Sequence, residues 1–144
     1  MNSSKIEKYL KLAEFQAELF SKDPKKKVAA LVVDDKYNIR STGFNGFPRG
    51  FEETTERWEK PKKYDYVVHA EANAVCSAAR NGASLDRCTL VTTMFPCNEC
   101  AKLIIQAGIS RIISRKPKKE SSWLQSFEKS LEMFDECGVD VEYL

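Results

Sequence analysis

The run Val28-Ala29-Ala30-Leu31-Val32-Val33 is apolar without interruption. That is the pattern of a strand buried on both faces. Such a strand needs cover from two sides, so the rest of the chain must build a layer above it and a layer below. The preceding residues supply one candidate. Ile6, Leu10, Ala13, Ala17 and Phe20 recur at helical spacing after Ser4-Lys5-Ile6-Glu7, which has the S-x-x-E form of a capping box, and Asp23-Pro24 stops the helix.

The following residues supply the rest. Asp34 to Asn38 is turn-rich, and Ile39 to Thr42 reads as a return strand. Gly43-Phe44-Asn45-Gly46-Phe47-Pro48-Arg49-Gly50 reads as a shaped loop, in which Asn45-Gly46 fits either a tight turn or a ligand-facing element. Phe51 to Lys63 is polar and aperiodic, a surface excursion with room for a short helix. In a helix over Ala70 to Arg80, the residues Ala72, Val75, Cys76 and Ala79 form an apolar stripe that places Cys76 in the core, and Asn81-Gly82 ends it. Thr89 to Thr92 and Arg111 to Ser114 read as strands separated by a helix that Gly108 closes. Ser122 to Glu136, with Trp123, Phe127, Leu131 and Phe134, is a last amphipathic helix capped by Gly138, before a strand over Val139 to Tyr143. The order predicts an α/β fold: one domain over residues 1–144, three-layer α/β/α, with a mixed sheet of about five strands and helices on both faces.

Composition narrows the functional classes. A chain of 144 residues with 42% hydrophobic and 31% charged content is an ordinary soluble globular domain, and a net charge of +2 gives no reason to expect a nucleic-acid partner. No segment approaches the ~20 apolar residues of a membrane span. The first residues lack the apolar core of a signal peptide, so a reducing, cytoplasmic setting is expected. The five cysteines are then thiols or metal ligands rather than disulfides. The basic runs Lys25-Lys26-Lys27, Lys60 to Lys63 and Arg115 to Lys119 read as solvated loop faces, any one of which could hold a phosphate.

Chemistry concentrates in His69-Ala70-Glu71 and Pro96-Cys97-Asn98-Glu99-Cys100. A catalytic metal needs three protein ligands and one position open to water, and His69, Cys97 and Cys100 meet that count. Glu71 is left over as a proton carrier. Cys97 and Cys100 share a helix face, and Pro96 suits the first turn of that helix. The helix dipole then favours thiolate at both sulfurs. His69 and Glu71, two apart, fit together only in the first turn of their helix. Taken singly the pieces mean less. A lone C-x-x-C serves as a redox pair or half a structural zinc site, and a lone His is usually core. A structural zinc would draw a fourth ligand from Cys76, Cys88 or Cys137 and leave Glu71 idle. Together, H-x-E and P-C-x-x-C form the signature of the zinc-dependent nucleobase deaminases.

From Val28 to its end the chain resembles the deoxycytidylate (dCMP) deaminases of the cytidine deaminase superfamily. The resemblance lies in Gly43-Phe44-Asn45-Gly46, close to that family's G-Y-N-G, in Tyr66 to Glu71, in Pro96 to Lys102, and in the segment through Ile104, Gly108 and Ile109. It implies hydrolytic deamination of dCMP to dUMP, which supplies dUMP for dTTP synthesis. It makes His69, Cys97 and Cys100 the Zn²⁺ ligands and Glu71 the catalytic proton shuttle. The Ala70 backbone N–H would meet the pyrimidine carbonyl and Asn45 the deoxyribose. It further implies a homo-oligomer, often a hexamer, regulated by dCTP and dTTP with Mg²⁺. Phe44 stands where the family has Tyr and removes a hydroxyl. Ala29 stands where many members have Gly. With His69 as the single histidine, the extra structural zinc of some members cannot be built in the same way.

Arg49, Arg115 and Lys116 are the candidates for a substrate phosphate or an effector. The alternatives are a bifunctional dCMP/dCTP deaminase, another cytosine or adenosine deaminase, and a zinc-stabilised interaction module without turnover. A tRNA adenosine deaminase would be expected to carry a basic face for RNA.

Overall fold

Strand β1 (Ala29–Val33) is buried at all five residues, and the two covering layers meet it from opposite sides. The computed structural model describes residues 2–144. Ala29, Leu31 and Val33 point into a core closed by Ile6, Leu10, Ala13 and Ala17 of helix α1 (Ser3–Phe20). Ala30 and Val32 point the other way, into a larger core shared with α4 (Ala70–Asn81), α5 (Asn98–Gln106) and α6 (Leu124–Glu136). The period-2 alternation of a strand thus divides one apolar run between two cores.

The sheet has the order β2-β1-β3-β4-β5, with β2 at Ile39–Phe44, β3 at Thr89–Thr92, β4 at Arg111–Ser114 and β5 at Asp140–Tyr143. β1 runs antiparallel to both β2 and β3, whereas β3, β4 and β5 are mutually parallel. The expected three-layer α/β/α arrangement with a mixed five-stranded sheet is what forms.

Several local expectations change. Helix α1 starts one residue before Ser4, because the Asn2 side chain accepts the Ser4 N–H at 2.9 Å and takes the cap position. Gly43 and Phe44 complete β2 instead of opening a loop. A Cβ on Gly43 would overlap the Ala70 carbonyl oxygen and the Ala74 nitrogen, so glycine here lets the backbone of α4 lie directly on the strand. Asn45-Gly46 is not a tight turn: Asn45 is buried, and Gly46 pairs with Val68 through two backbone hydrogen bonds. The stretch after Phe51 holds two short helices, α2 (Thr55–Trp58) and α3 (Lys63–Tyr66), with Trp58 buried against Phe47.

On α4 the buried face is Ala70, Glu71, Ala74 and Ala78, and Cys76 is exposed, contrary to the expected stripe. At Gly43 the α4 backbone lies directly on β2, and Ala70, Ala74 and Ala78 are small enough to be buried on that face. Phe20 and Leu131, both expected on apolar stripes, are exposed. Pro96 lies outside α5; Cys97 occupies the cap position and Asn98 opens the helix. No helix among the described residues is long and apolar enough to cross a membrane.

Candidate metal centre and cleft

Both motif helices begin at the same end of the sheet. β3 runs through Thr92 into the segment leading to Pro96, and α5 starts there. Val68, tied to Gly46 beside β2, delivers His69 to the cap position of α4. Asn73 holds that first turn down by donating to the Phe44 carbonyl at 2.7 Å.

His69 Nδ1 then stands 3.4 Å from Cys97 Sγ and 3.5 Å from Cys100 Sγ, and the three ligand atoms lie within 4.8 Å of one another. A zinc ion takes sulfur at ~2.3 Å and imidazole nitrogen at ~2.0–2.1 Å, and tetrahedral angles then separate the two ligand atoms by ~3.5 Å. The trio fits. Cys76, Cys88 and Cys137 do not join it among the described residues: Cys76 and Cys137 are exposed, and the Cys88 thiol turns to the Asp86 carbonyl. A fourth protein ligand is therefore not supplied by the chain's other thiols.

The electrostatics are those of a prepared ligand set. The Cys97 sulfur accepts from the Cys100 thiol and from His69, which against burial holds Cys97 down at about 4. The same shared proton, together with burial, pushes Cys100 up, and the Cys97 sulfur raises His69. Glu71, only 4% exposed, is pushed upward by burial and partly drawn back by the Cys100 thiol, by His69 and by Thr92. The Thr92 hydroxyl lies 3.1 Å from Glu71 Oε1 and 2.9 Å from the Met94 carbonyl oxygen, so its one proton has both as acceptors. A buried carboxyl with a raised pKa beside three candidate ligand atoms is suited both to take and to return a proton.

His69 and Cys97 line a cleft of about 580 Å³, together with Ala70, Glu71, Asn45 and Trp123. The Trp123 ring meets His69 edge to face, 6.0 Å between centroids. The three basic runs, far apart in sequence, converge on this cleft. Lys25 and Lys26, Lys60 and Lys63, and Arg115, Lys116 and Lys118 all line it. Arg49 does not; it is exposed in the turn after Phe47. Arg115 is held by Glu14, with Nη2 to Oε1 at 2.9 Å.

One group on this wall has no local signature in the sequence. Lys63 is 5% exposed and donates to Asp23 Oδ2 at 2.9 Å, a buried ion pair. Asp23 also accepts the N–H groups of Lys25 (2.8 Å) and Lys26 (3.2 Å) at Oδ1, and the Asn45 amide at Oδ2 (3.4 Å). Asn45 Oδ1 in turn accepts from Ser21 Oγ at 2.6 Å and from Val28 N at 2.9 Å, while its Nδ2 donates to the Lys26 carbonyl at 2.8 Å. Asp23 reads as a helix stop and Lys63 as part of a loop run. Only their meeting across 40 positions of sequence makes them a site.

A mixed sheet with two helix N-termini presenting one imidazole, two sulfurs and a buried carboxylate defines a zinc-dependent deaminase domain. Residues 3–116 match the family described as the cytidine and deoxycytidylate deaminase zinc-binding region, and the chain belongs to it. It is 44% identical over 131 residues to a probable deoxycytidylate deaminase of Drosophila melanogaster, a match covering 83% of this chain and 63% of the fly protein. An uncharacterized deaminase of Aliivibrio fischeri is 36% identical over 147 residues, covering 100% of this chain and 96% of that protein. The crystal structure of the cyanophage S-TIM5 dCMP deaminase in complex with dCMP and dUMP superposes with a TM-score of 0.81 at 30% identity, covering 100% of this chain and 99% of that one.

Proposed function

We propose that this protein hydrolyses dCMP to dUMP and ammonia. The observation that carries the reading is a buried carboxyl, Glu71, set among three convergent ligand atoms in the wall of a nucleotide-sized cleft. His69, Cys97 and Cys100 would hold a zinc ion, which would supply a Lewis acid able to bring the pKa of water towards ~7. The family match and the geometry of the trio both favour that metal.

The protein's own groups do the rest. Glu71 takes a proton from the attacking water and delivers it to N3 of the cytosine, which makes C4 electrophilic. The water oxygen bonds to C4. Glu71 then passes the second proton of that water to the exocyclic nitrogen, the C4–N bond breaks, ammonia leaves and a C4 carbonyl remains. The Ala70 N–H, in the first turn of α4 and without an intrahelical acceptor, donates to the C2 carbonyl and orients the ring. Asn45 reaches the deoxyribose by exchanging its longest bond, the one to Asp23, for a sugar hydroxyl.

From the resemblance alone the same reading carries a homo-oligomer, often a hexamer, that answers to dCTP and dTTP with Mg²⁺. The test is ammonia release from dCMP, dCTP, deoxycytidine, cytosine and tRNA adenosine by the zinc-loaded protein, with and without dCTP and dTTP. Preferred turnover of dCMP supports the proposal. Turnover of none of the five, or of tRNA adenosine alone, overturns it.

A further inference from the structure

Within the buried network beside the cleft, the hydrogen-bonding capacity can be accounted for atom by atom. Asp23 accepts four hydrogen bonds, two on each oxygen. The Asn45 amide uses both lone pairs and both protons. Lys63 differs. Its ammonium has three donors, and among the described residues Asp23 is its hydrogen-bond acceptor, with the Tyr64 ring 5.6 Å away. Lys63 lines the cleft, and two of the three donors of this buried cation are left without a protein acceptor among the described residues. Leaving such donors unmade is costly, and an ionised acceptor satisfies them best.

We infer that Lys63 binds the 5′-phosphate of a nucleotide substrate, and that Asp23 is the residue that positions it. A neutral sugar hydroxyl brings a single oxygen, whereas a phosphate brings several and a charge that suits the surroundings. Lys25, Lys26 and Lys60 also line the cleft, and the Asp23 carboxylate is engaged by the Lys25 and Lys26 N–H groups. The inference rests on the deaminase reading and adds to it the group that separates nucleotides from nucleosides.

The test compares Lys63→Met with the wild-type holoenzyme on dCMP and on deoxycytidine. Loss of charge-assisted hydrogen bonds predicts a rise of about 10–100-fold in KM for dCMP. The kcat for dCMP should stay within a few-fold, and kcat/KM for deoxycytidine within about two-fold on the same grounds. Because the single variant leaves Asp23 buried without its cation, the Asp23→Asn, Lys63→Met double variant, neutral at both positions, is measured alongside it and should show the same split. Equal losses on dCMP and deoxycytidine, or unchanged KM for dCMP in a folded, zinc-loaded variant, overturn the assignment. Binding of dUMP against deoxyuridine by calorimetry gives the same comparison without turnover. A wild-type protein that deaminates neither compound refutes the dCMP reading on which the inference rests, before any variant is made.

Discussion

The Ser126 hydroxyl on α6 accepts the Asn98 backbone N–H at 2.9 Å and donates to the Asn98 side-chain oxygen at 2.7 Å. Asn98 is the first residue of the helix that carries Cys100, and the cap residue Cys97 makes no side-chain cap bond. A residue from the last helix thus caps the metal helix in trans, while Ser130 one turn on donates to the Pro96 carbonyl at 2.8 Å. Ser126→Ala should cost about 0.5–2 kcal/mol of stability, the usual worth of a helix cap. Denaturant unfolding checks the figure. Zinc should also leave the variant faster in the presence of a chelator, and an unchanged release rate would show that the cap does not support the ligands.

Glu71→Gln should retain zinc and lose about 10²–10⁴-fold in turnover, the typical contribution of a positioned acid/base group. Thr92→Val tests the tuning of that carboxyl. Removing a hydrogen bond that favours the charged form raises the Glu71 pKa further, and the carboxylate is the form that accepts the first proton. The acidic limb of the pH profile of kcat/KM should therefore move to higher pH, and a shift to lower pH would contradict the assignment.

Zinc uptake should release protons. Cys97 is held low as a thiolate, but Cys100 is pushed up and held as a thiol, so the pair must give up that proton for both sulfurs to ligate, and the upward push on His69 adds to the competition between proton and metal. Affinity should rise with pH, and calorimetry in buffers of different ionisation enthalpy should report the release. A pH-independent affinity would mean that the trio does not bind as described.

Asp23 gives the fold a component of acid sensitivity. Burial pushes its carboxyl up, but the Lys25 N–H, the Lys63 ammonium and the Lys26 N–H together outweigh burial and hold it below its ordinary value. A depressed pKa contributes stability that is complete above the unfolded value of ~3.9 and is lost as pH falls through the folded one. Asp23→Asn should cost about 3–5 kcal/mol at neutral pH, as expected when a buried pair loses one partner. The gap from wild type should narrow below pH ~4. Unfolding curves at a series of pH values would show a constant gap if the pair were unimportant.

Gly43→Ala should destabilise by about 1–3 kcal/mol, because the added methyl meets backbone atoms of α4 that cannot swing aside. Activity should fall with it, since the displaced helix carries His69 and Glu71. Urea midpoints and turnover measured on the same preparation test both.

Much of this molecule can be read from its sequence for a physical reason: the signals are local. The unbroken apolar run at Val28–Val33 demanded two covering layers, and the helix and strand periods named the elements that provide them. The two motifs picked out a trio that the fold brings together, because metal chemistry admits few combinations of imidazole, thiol and carboxylate at those spacings. Tertiary packing decided the rest. The face of α4 that is buried, with Glu71 inside and Cys76 exposed, lies against β2 with backbone contact at Gly43, which the helical period cannot register. The pairing of Asp23 with Lys63, the closed hydrogen-bond account of Asn45 and the gathering of three basic runs on one cleft join residues remote in the chain. A lysine in a polar stretch carries no mark of burial until the fold brings a carboxylate to it.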